Sequence, residues 1–288
     1  VKNNDRIIAP EWKDYELIDC GGGRKLERFG SVVLDRPEIA ADAEAKLSPR
    51  EWEQQTDSVF AQTSPNEGDW SRPLPPWKIT FNGKTRLVFN LQINQFKHIG
   101  VFPEQSVNWE YIADILKEKA TGGGIRALNL FAYTGGASLA AKAMGADVSH
   151  VEALSQLITK AKENMESSGL EHIRWIKEDA LKYVHKEVKR GKKYDLVVMD
   201  PPSWGRGPKG EQWKLEKQLD ELLFSVSQLL NPGAELIINT YSGIGPNQLK
   251  DQLDKHVQFK SFEMGELILQ ANSGAEFSTG SLLRGQVG

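Results

Sequence analysis

Between about residue 125 and residue 269, apolar strand-like runs alternate with stretches of helical period, and this alternation limits the possible folds more than any other feature. The strand candidates are IRALNLF (125–131), DVSHVE (147–152), IRWIKE (173–178), YDLVVMD (194–200), AELIINTY (234–241) and FEMGELIL (262–269). Helical patterns cover roughly 136–144, 154–168, 179–190, 212–230 and 246–255. Strands joined through helices pair in parallel, so the pattern predicts an α/β fold: a doubly wound, mostly parallel sheet with helices on both faces. In such a sheet ligands bind beyond the carboxyl ends of the strands. Functional residues are therefore expected at those ends.

Residues 1–118 follow different rules. They carry five of the eight tryptophans, with short strand-like pieces at 15–19, 31–34, 78–82 and 85–93. Asn82 and Gly83 suit the tight turn of a hairpin between the last two. The reading is a smaller β-rich N-terminal domain, 1–118, a candidate for substrate recognition, followed by an α/β domain over 119–288. The segment QQTDSVFAQTSPNEGDWSRPLPP (54–76) has no periodicity and is expected to form a long loop or lid.

With 36 basic and 39 acidic residues, the chain lacks the cationic excess of a strongly basic nucleic-acid binder. Contact with RNA would need local patches. Arg24, Lys25, Arg28 and Arg36 around Phe29 form one candidate, which either meets phosphate or pairs with neighbours such as Glu27 and Asp35. KEVKRGKK (186–193) reads more simply as cations at a helix C-terminus. The single cysteine, Cys20, excludes an internal disulfide, argues against a zinc site and is expected to be a buried small hydrophobe, so no metal is anticipated. No run approaches the ~18 apolar residues of a membrane span. A cytoplasmic protein with no membrane partner is expected.

Four strand ends carry the chemistry. The first runs into NLFAYTGGASLAAKAMG, where Thr134, Gly135 and Gly136 allow either close approach of a ligand or a tightly packed turn into a small-residue helix. The second ends at Glu152, seventeen residues beyond Gly135, suited to accept from two ribose hydroxyls or to sit as a charge at a helix N-terminus. The third ends near Asp179, able to cap the next helix and also to bind an exocyclic amino group. The fourth ends at Asp200-Pro201-Pro202-Ser203, where proline must stop the strand and leave a stiff ledge of carbonyls beside a carboxylate. Beyond it, Trp204 to Trp213 is glycine-rich and basic through Arg206 and Lys209, as a mobile substrate-gripping loop would be. Within it, Trp204 either stacks on a planar acceptor or packs beneath the loop.

These residues resemble the Rossmann-like class I S-adenosylmethionine-dependent methyltransferases, and most closely the branch that modifies cytosine C5 or guanine N7 in large-subunit ribosomal RNA. The resemblance lies in NLFAYTGGASLAAKAMGA, HVEALSQLITKAKENMESSGL, DPPS and HIGVFPEQSVNW (98–109), in order over about 97–242. It implies S-adenosyl-L-methionine as cofactor. It assigns Asn129, Phe131, Tyr133, Thr134, Gly135 and Gly136 to the methionine and ribose side, Glu152 to the ribose hydroxyls, and Asp179 with Ala180 to the adenine. Asp200 and Pro201 would lie beside the sulfonium, with Phe102 and Gln105 covering it. Ser203, Trp204, Arg206 and Lys209 would face the substrate, and Asp200 is the one candidate for a polar catalytic, positioning role.

The chain departs from that branch in two ways. Where a nucleophilic cysteine would follow the fifth strand stand Tyr241 and Ser242, so covalent attack by a thiolate is not expected. The motif is also not the Asn-Pro-Pro-aromatic form of exocyclic amino methylation. A ring nitrogen such as guanine N7 passes both exclusions. The expected function is therefore methylation of a base in RNA without a cysteine nucleophile. A methyltransferase for a protein or small molecule is the alternative, and an NAD-dependent oxidoreductase a weaker one, since no G-x-G-x-x-G is present.

Overall fold

A computed structural model of the chain describes residues 2–64, 67–119, 124–206, 212–241 and 243–288. The chain begins with β1 (Lys2–Ile8). Then β2 (Tyr15–Gly21), β3 (Arg24–Phe29), β4 (Val32–Pro37), α1 (Pro49–Gln55), β5 (Ser58–Gln62) and β6 (Gly68–Trp70) build a five-stranded sheet in chain order. A hairpin of β7 (Trp77–Asn82) and β8 (Arg86–Leu91) is present as the sequence suggests, but Asn82 pairs with Arg86 in the ladder, so the turn runs over 83–85 rather than at Asn82 and Gly83. A single 3-10 turn, Pro103–Gln105, leads into α2 (Ser106–Lys119).

The alternating part follows as β9 (Arg126–Leu130), α3 (Gly136–Ala143), β10 (Asp147–Glu152), α4 (Ser155–Ser167), β11 (Arg174–Lys177), α5 (Ala180–Lys189) and β12 (Tyr194–Met199). A short hairpin of β13 (Trp204–Arg206) and β14 (Gln212–Lys214) precedes α6 (Leu215–Ser227), β15 (Leu230–Thr240), α7 (Pro246–Leu253), β16 (Phe259–Gln270) and β17 (Glu276–Val287). The large sheet has eight strands in the order β1-β16-β17-β15-β12-β9-β10-β11. All pairs are parallel except those made by β17, which runs against β15 and β16. The doubly wound, mostly parallel sheet of the sequence reading is thus present, and β1, although at the start of the chain, forms its edge.

Two cores sandwich this sheet. On one face Leu181 and Val184 of α5, Leu219 and Leu222 of α6 and Leu249 of α7 pack against β12 and β15. The other face continues into the N-terminal part through aromatic rings. The Trp109 ring of α2 stacks on Phe89 at 5.0 Å and meets Phe81 at 5.2 Å and Trp12 at 5.6 Å. Polar ties add direction: Asp19 of β2 accepts from Ser273 Oγ at 2.6 Å in the β16–β17 turn, and Asn90 of β8 donates its backbone N–H to Asn164 of α4 at 2.8 Å.

Segment 54–76 is not a structureless lid. It holds the end of α1 and the paired strands β5 and β6, because buried Phe60 packs edge-on to Trp70 at 5.2 Å and the Trp70 indole donates to Asn94 O at 2.7 Å. Alternation is hidden there because so few of its side chains are apolar. The expected helix over 212–230 is likewise shorter, since residues 212–214 pair as β14 with β13. The stretch 204–213 is consequently hairpin at both ends rather than open loop.

Candidate active site

The carboxyl ends of β9, β10, β11 and β12 open on one cavity of about 590 Å³. At the end of β9, Phe131 and Tyr133 adopt left-handed backbone conformations, with φ of 55° and 49°, which for non-glycine residues costs about 1–3 kcal/mol each. The twist aims the Tyr133 N–H at Glu152 Oε2, 3.1 Å away, while Glu152 Oε1 accepts from Leu154 N at 2.9 Å. Burial raises the Glu152 pKa, and these backbone donors oppose the rise. Pinned from behind, the carboxyl lines the cavity with its remaining lone pairs. Asp179 takes the first of its expected roles, capping α5 by accepting from Lys182 N at 2.9 Å, and with Ala180 it also lines the cavity.

Other expected residues stand behind the wall. Asn129 donates to Ser138 Oγ at 2.9 Å, and that hydroxyl contacts His150 Nδ1 at 3.0 Å. Thr134 donates to Gly100 O at 2.7 Å and its carbonyl accepts from Asn164 at 3.0 Å, bracing the loop. Gly135, at φ 95°, makes the turn into α3. Gly136 is a packing glycine: a Cβ there would stand 2.7 Å from the Trp109 ring.

At the end of β12 the Asp200 carboxyl meets three elements. Its Oδ2 accepts from the Tyr241 phenol at 2.8 Å and from Gln105 Nε2 at 3.4 Å, and Gln105 also donates to the Tyr241 oxygen at 3.1 Å. Oδ1 is sealed from solvent without a partner. Burial, with a smaller contribution from Glu104, pushes the Asp200 pKa up to about 8 against the Tyr241 hydrogen bond. Phe102 forms an aromatic wall with Tyr133 at 5.0 Å and Tyr241 at 5.5 Å. Pro201 is buried under the ledge, while Pro202, Ser203 and Trp204 line the cavity.

The two tryptophans of the β13–β14 hairpin divide the roles left open for Trp204. Trp213 is the buried anchor, its ring 4.9 Å from Phe131 and its indole N–H donating to Pro202 O at 2.5 Å. Trp204 is 45% exposed at the cavity. The Arg206 backbone belongs to β13, but its side chain and all of Lys209 fall outside the described residues, as does Ser242.

The basic patch resolves into ion pairs. Arg24 binds Asp35 at 2.6 Å, Arg28 binds Glu16 at 2.9 Å, and Arg36 reaches buried Glu27 at 2.5 Å. Arg24 and Arg28 do not line the cavity. Lys25, Arg36 and Lys97 do. Sequence reasoning missed Lys97, Tyr241 and Glu104 as cavity residues. Glu104 was next to the expected Gln105, yet nothing local marks it as buried. Cys20 lies in the core of β2 with its thiol pKa pushed up to about 11 by burial, away from the cavity.

Comparison with known proteins agrees with this geometry. A family model for S-adenosylmethionine-dependent methyltransferases matches residues 55–266. A solved methyltransferase from Agrobacterium tumefaciens is 33% identical, with a TM-score of 0.88 over 98% of this chain and 93% of that one. Among curated relatives, ribosomal RNA large subunit methyltransferase K/L of Shewanella frigidimarina is 32% identical over 52% of this chain, and methyltransferase I of Aeromonas hydrophila 26% identical over 88%. The chain spans 21% of the former and 61% of the latter. The chain belongs to the S-adenosylmethionine-dependent methyltransferase family.

Proposed function

We propose that this protein methylates a base in RNA, with S-adenosyl-L-methionine as donor and no cysteine nucleophile. The observation that carries the reading is the convergence of Glu152, Asp179, Asp200 and Pro202 on one cavity that also takes in Lys25, Arg36 and Lys97. The donor set fits the cofactor: Glu152 offers lone pairs to a ribose diol, Asp179 an acceptor to an amino group, and Phe102 and Tyr133 present aromatic faces beside the unpartnered Asp200 Oδ1. Aromatic faces attract a cation by about 0.5–2 kcal/mol. Thr134, Gly135, Gly136, Asn129 and Gln105 hold these groups from behind.

When bound, the cofactor supplies an activated methyl group on a sulfonium. The protein then has to align the acceptor, exclude water and manage one proton. Ser203 and Trp204 would meet the acceptor base, with Arg206 and Lys209 of the same segment reaching its phosphates. The β-rich part within residues 1–118 would recognise the remainder of the RNA. The printed names of the curated relatives, both ribosomal RNA methyltransferases, support an RNA acceptor. An RNA substrate argues for action in the cytoplasm.

The test is transfer of labelled methyl from S-adenosylmethionine into RNA and protein fractions from cells lacking the protein, followed by nucleoside analysis. Label in a single RNA species is expected. Label in protein alone overturns the RNA reading.

A further inference from the structure

We infer that Glu104 is the group that takes a proton from the acceptor during methyl transfer, and that the acceptor atom is accordingly a nitrogen bearing hydrogen. This rests on the proposed methylation of RNA and narrows its substrate. Glu104 sits in the 3-10 turn before α2, only 4% exposed, and yet its side chain lines the cavity. Among the described residues it has no salt bridge, and its carboxylate accepts a hydrogen bond from its own backbone N–H. Lys25, whose charge acts on it, is already engaged by Glu27 at 3.7 Å and Glu38 at 3.3 Å. An unpaired carboxylate is costly to bury, and such groups concentrate at reaction centres.

The residue that follows it, Gln105, hydrogen-bonds Asp200, so both carboxyls belong to one wall. Facing Glu104 are Tyr15 of β2, Lys25 and Glu27 of β3, Glu38 after β4, Asp200 after β12 and Tyr241 after β15. Burial pushes the Glu104 pKa up to about 7, against the pull of Lys25, and so within reach of neutral proton transfer. Asp200, pushed higher, keeps its proton more readily, and the pair divides into one hydrogen-bond donor and one acceptor. Guanine N7 carries no hydrogen and gains nothing from a proton acceptor. A ring lactam N–H does, and unlike an exocyclic amino group it is compatible with the Asp-Pro-Pro-Ser motif.

In the step, the nitrogen lone pair forms the new N–C bond as the C–S bond breaks, its electrons staying on sulfur in a neutral thioether. The N–H proton passes to ionised Glu104, which later yields it to water. The product leaves uncharged at that nitrogen.

The experiment compares wild-type, Glu104→Gln and Glu104→Asp proteins in single-turnover transfer of labelled methyl to the RNA and protein fractions, between about pH 5.5 and about pH 9. Wild-type rates should rise with pH to a plateau above about 7. Glu104→Gln should lower the plateau by about 10²- to 10⁴-fold and flatten the profile, and Glu104→Asp should restore part of both. Binding of S-adenosylhomocysteine and thermal stability should stay within experimental error of wild type. Nucleoside analysis should locate methyl on a nitrogen that bore hydrogen. Methyl on guanine N7, or a Gln variant with the wild-type profile, overturns the role of Glu104. Label in protein rather than RNA overturns the RNA reading alone, and the same variants then judge Glu104 in that fraction. No transfer into either fraction overturns both.

Discussion

The Tyr241 phenol donates a 2.8 Å hydrogen bond to Oδ2 of Asp200, while Oδ1 of the same carboxyl faces inward without a partner. One oxygen is thereby fixed by the protein, while the other is enclosed without a partner among the described residues. A tyrosine thus stands where the cysteine branch would supply a thiolate, and it orients a carboxyl instead of attacking a ring.

Tyr241→Phe keeps the ring against Phe102 and removes only the donor. Asp200 Oδ2 retains the 3.4 Å contact from Gln105, and the carboxyl pKa should climb further, because the Tyr241 hydrogen bond is what lowers it. A lost hydrogen bond to a buried polar group costs about 1–3 kcal/mol, so methyl transfer should fall by about 5- to 150-fold. Affinity for S-adenosylhomocysteine by calorimetry should be nearly unchanged. A wild-type transfer rate would refute the orienting role.

The parallel sheet was legible in the sequence because β10, β11 and β12 are short strand-like runs that end at or near distinctive acidic residues, Glu152, Asp179 and Asp200. Strand β17 was not, because Gly280 and Gly285 read as breaks. In the structure they are points of close approach, where a Cβ would stand 2.0 Å from Thr240 O and 2.2 Å from Ser261 O. The same gap hid Glu104 and Lys97. Their importance comes from a wall assembled by β3, the 3-10 turn and β15, which lie far apart in the chain and meet only through tertiary packing.

Gly136 separates a ligand-facing glycine from a packing one. The Trp109 ring that an added Cβ would meet at 2.7 Å is held among Phe81, Phe89 and Trp12, so it cannot move aside freely. Gly136→Ala should therefore destabilise the fold by about 1–3 kcal/mol in urea denaturation. S-adenosylhomocysteine should still bind under native conditions. Loss of binding at wild-type stability would return Gly136 to the ligand.

The hairpin tryptophans should part in opposite directions. Trp213→Ala removes a buried ring and the hydrogen bond to Pro202, and about 3–5 kcal/mol of stability should go with it. Trp204→Ala should move the denaturation midpoint by no more than about 0.5 kcal/mol. It should instead weaken transfer to RNA by about 5- to 150-fold, the equivalent of about 1–3 kcal/mol for a stacked base. If Trp204→Ala unfolds the protein, the stacking role fails.

Glu27 and Arg36 form a buried pair whose pH dependence can be given a sign. Glu27 is fully buried, with Arg36 Nε and Nη2 at 3.0 and 2.5 Å from Oε2 and the Tyr15 hydroxyl donating at 3.1 Å to Oε1. Burial alone would raise its pKa, but the charges of Arg36 and Lys25, with the hydrogen bonds from Arg36 and Tyr15, outweigh it and hold the carboxyl below its ordinary value. A folded-state pKa below the unfolded one means that the unfolded chain takes up protons first as pH falls. The contribution is therefore complete above the ordinary carboxylate range, about 4.3, and drains away below it as pH approaches the lower folded value. Arg36→Met should cost about 3–5 kcal/mol near neutral pH by leaving buried Glu27 with only the 3.7 Å contact to Lys25 for charge compensation, and the deficit should shrink as acid protonates it. Adding Glu27→Gln to Arg36→Met should recover much of that loss, because two neutral side chains no longer bury a lone charge. Urea midpoints of wild type and both variants across the acid range test this, and an Arg36→Met deficit that stays constant with pH would show that the lost contribution is packing, not charge.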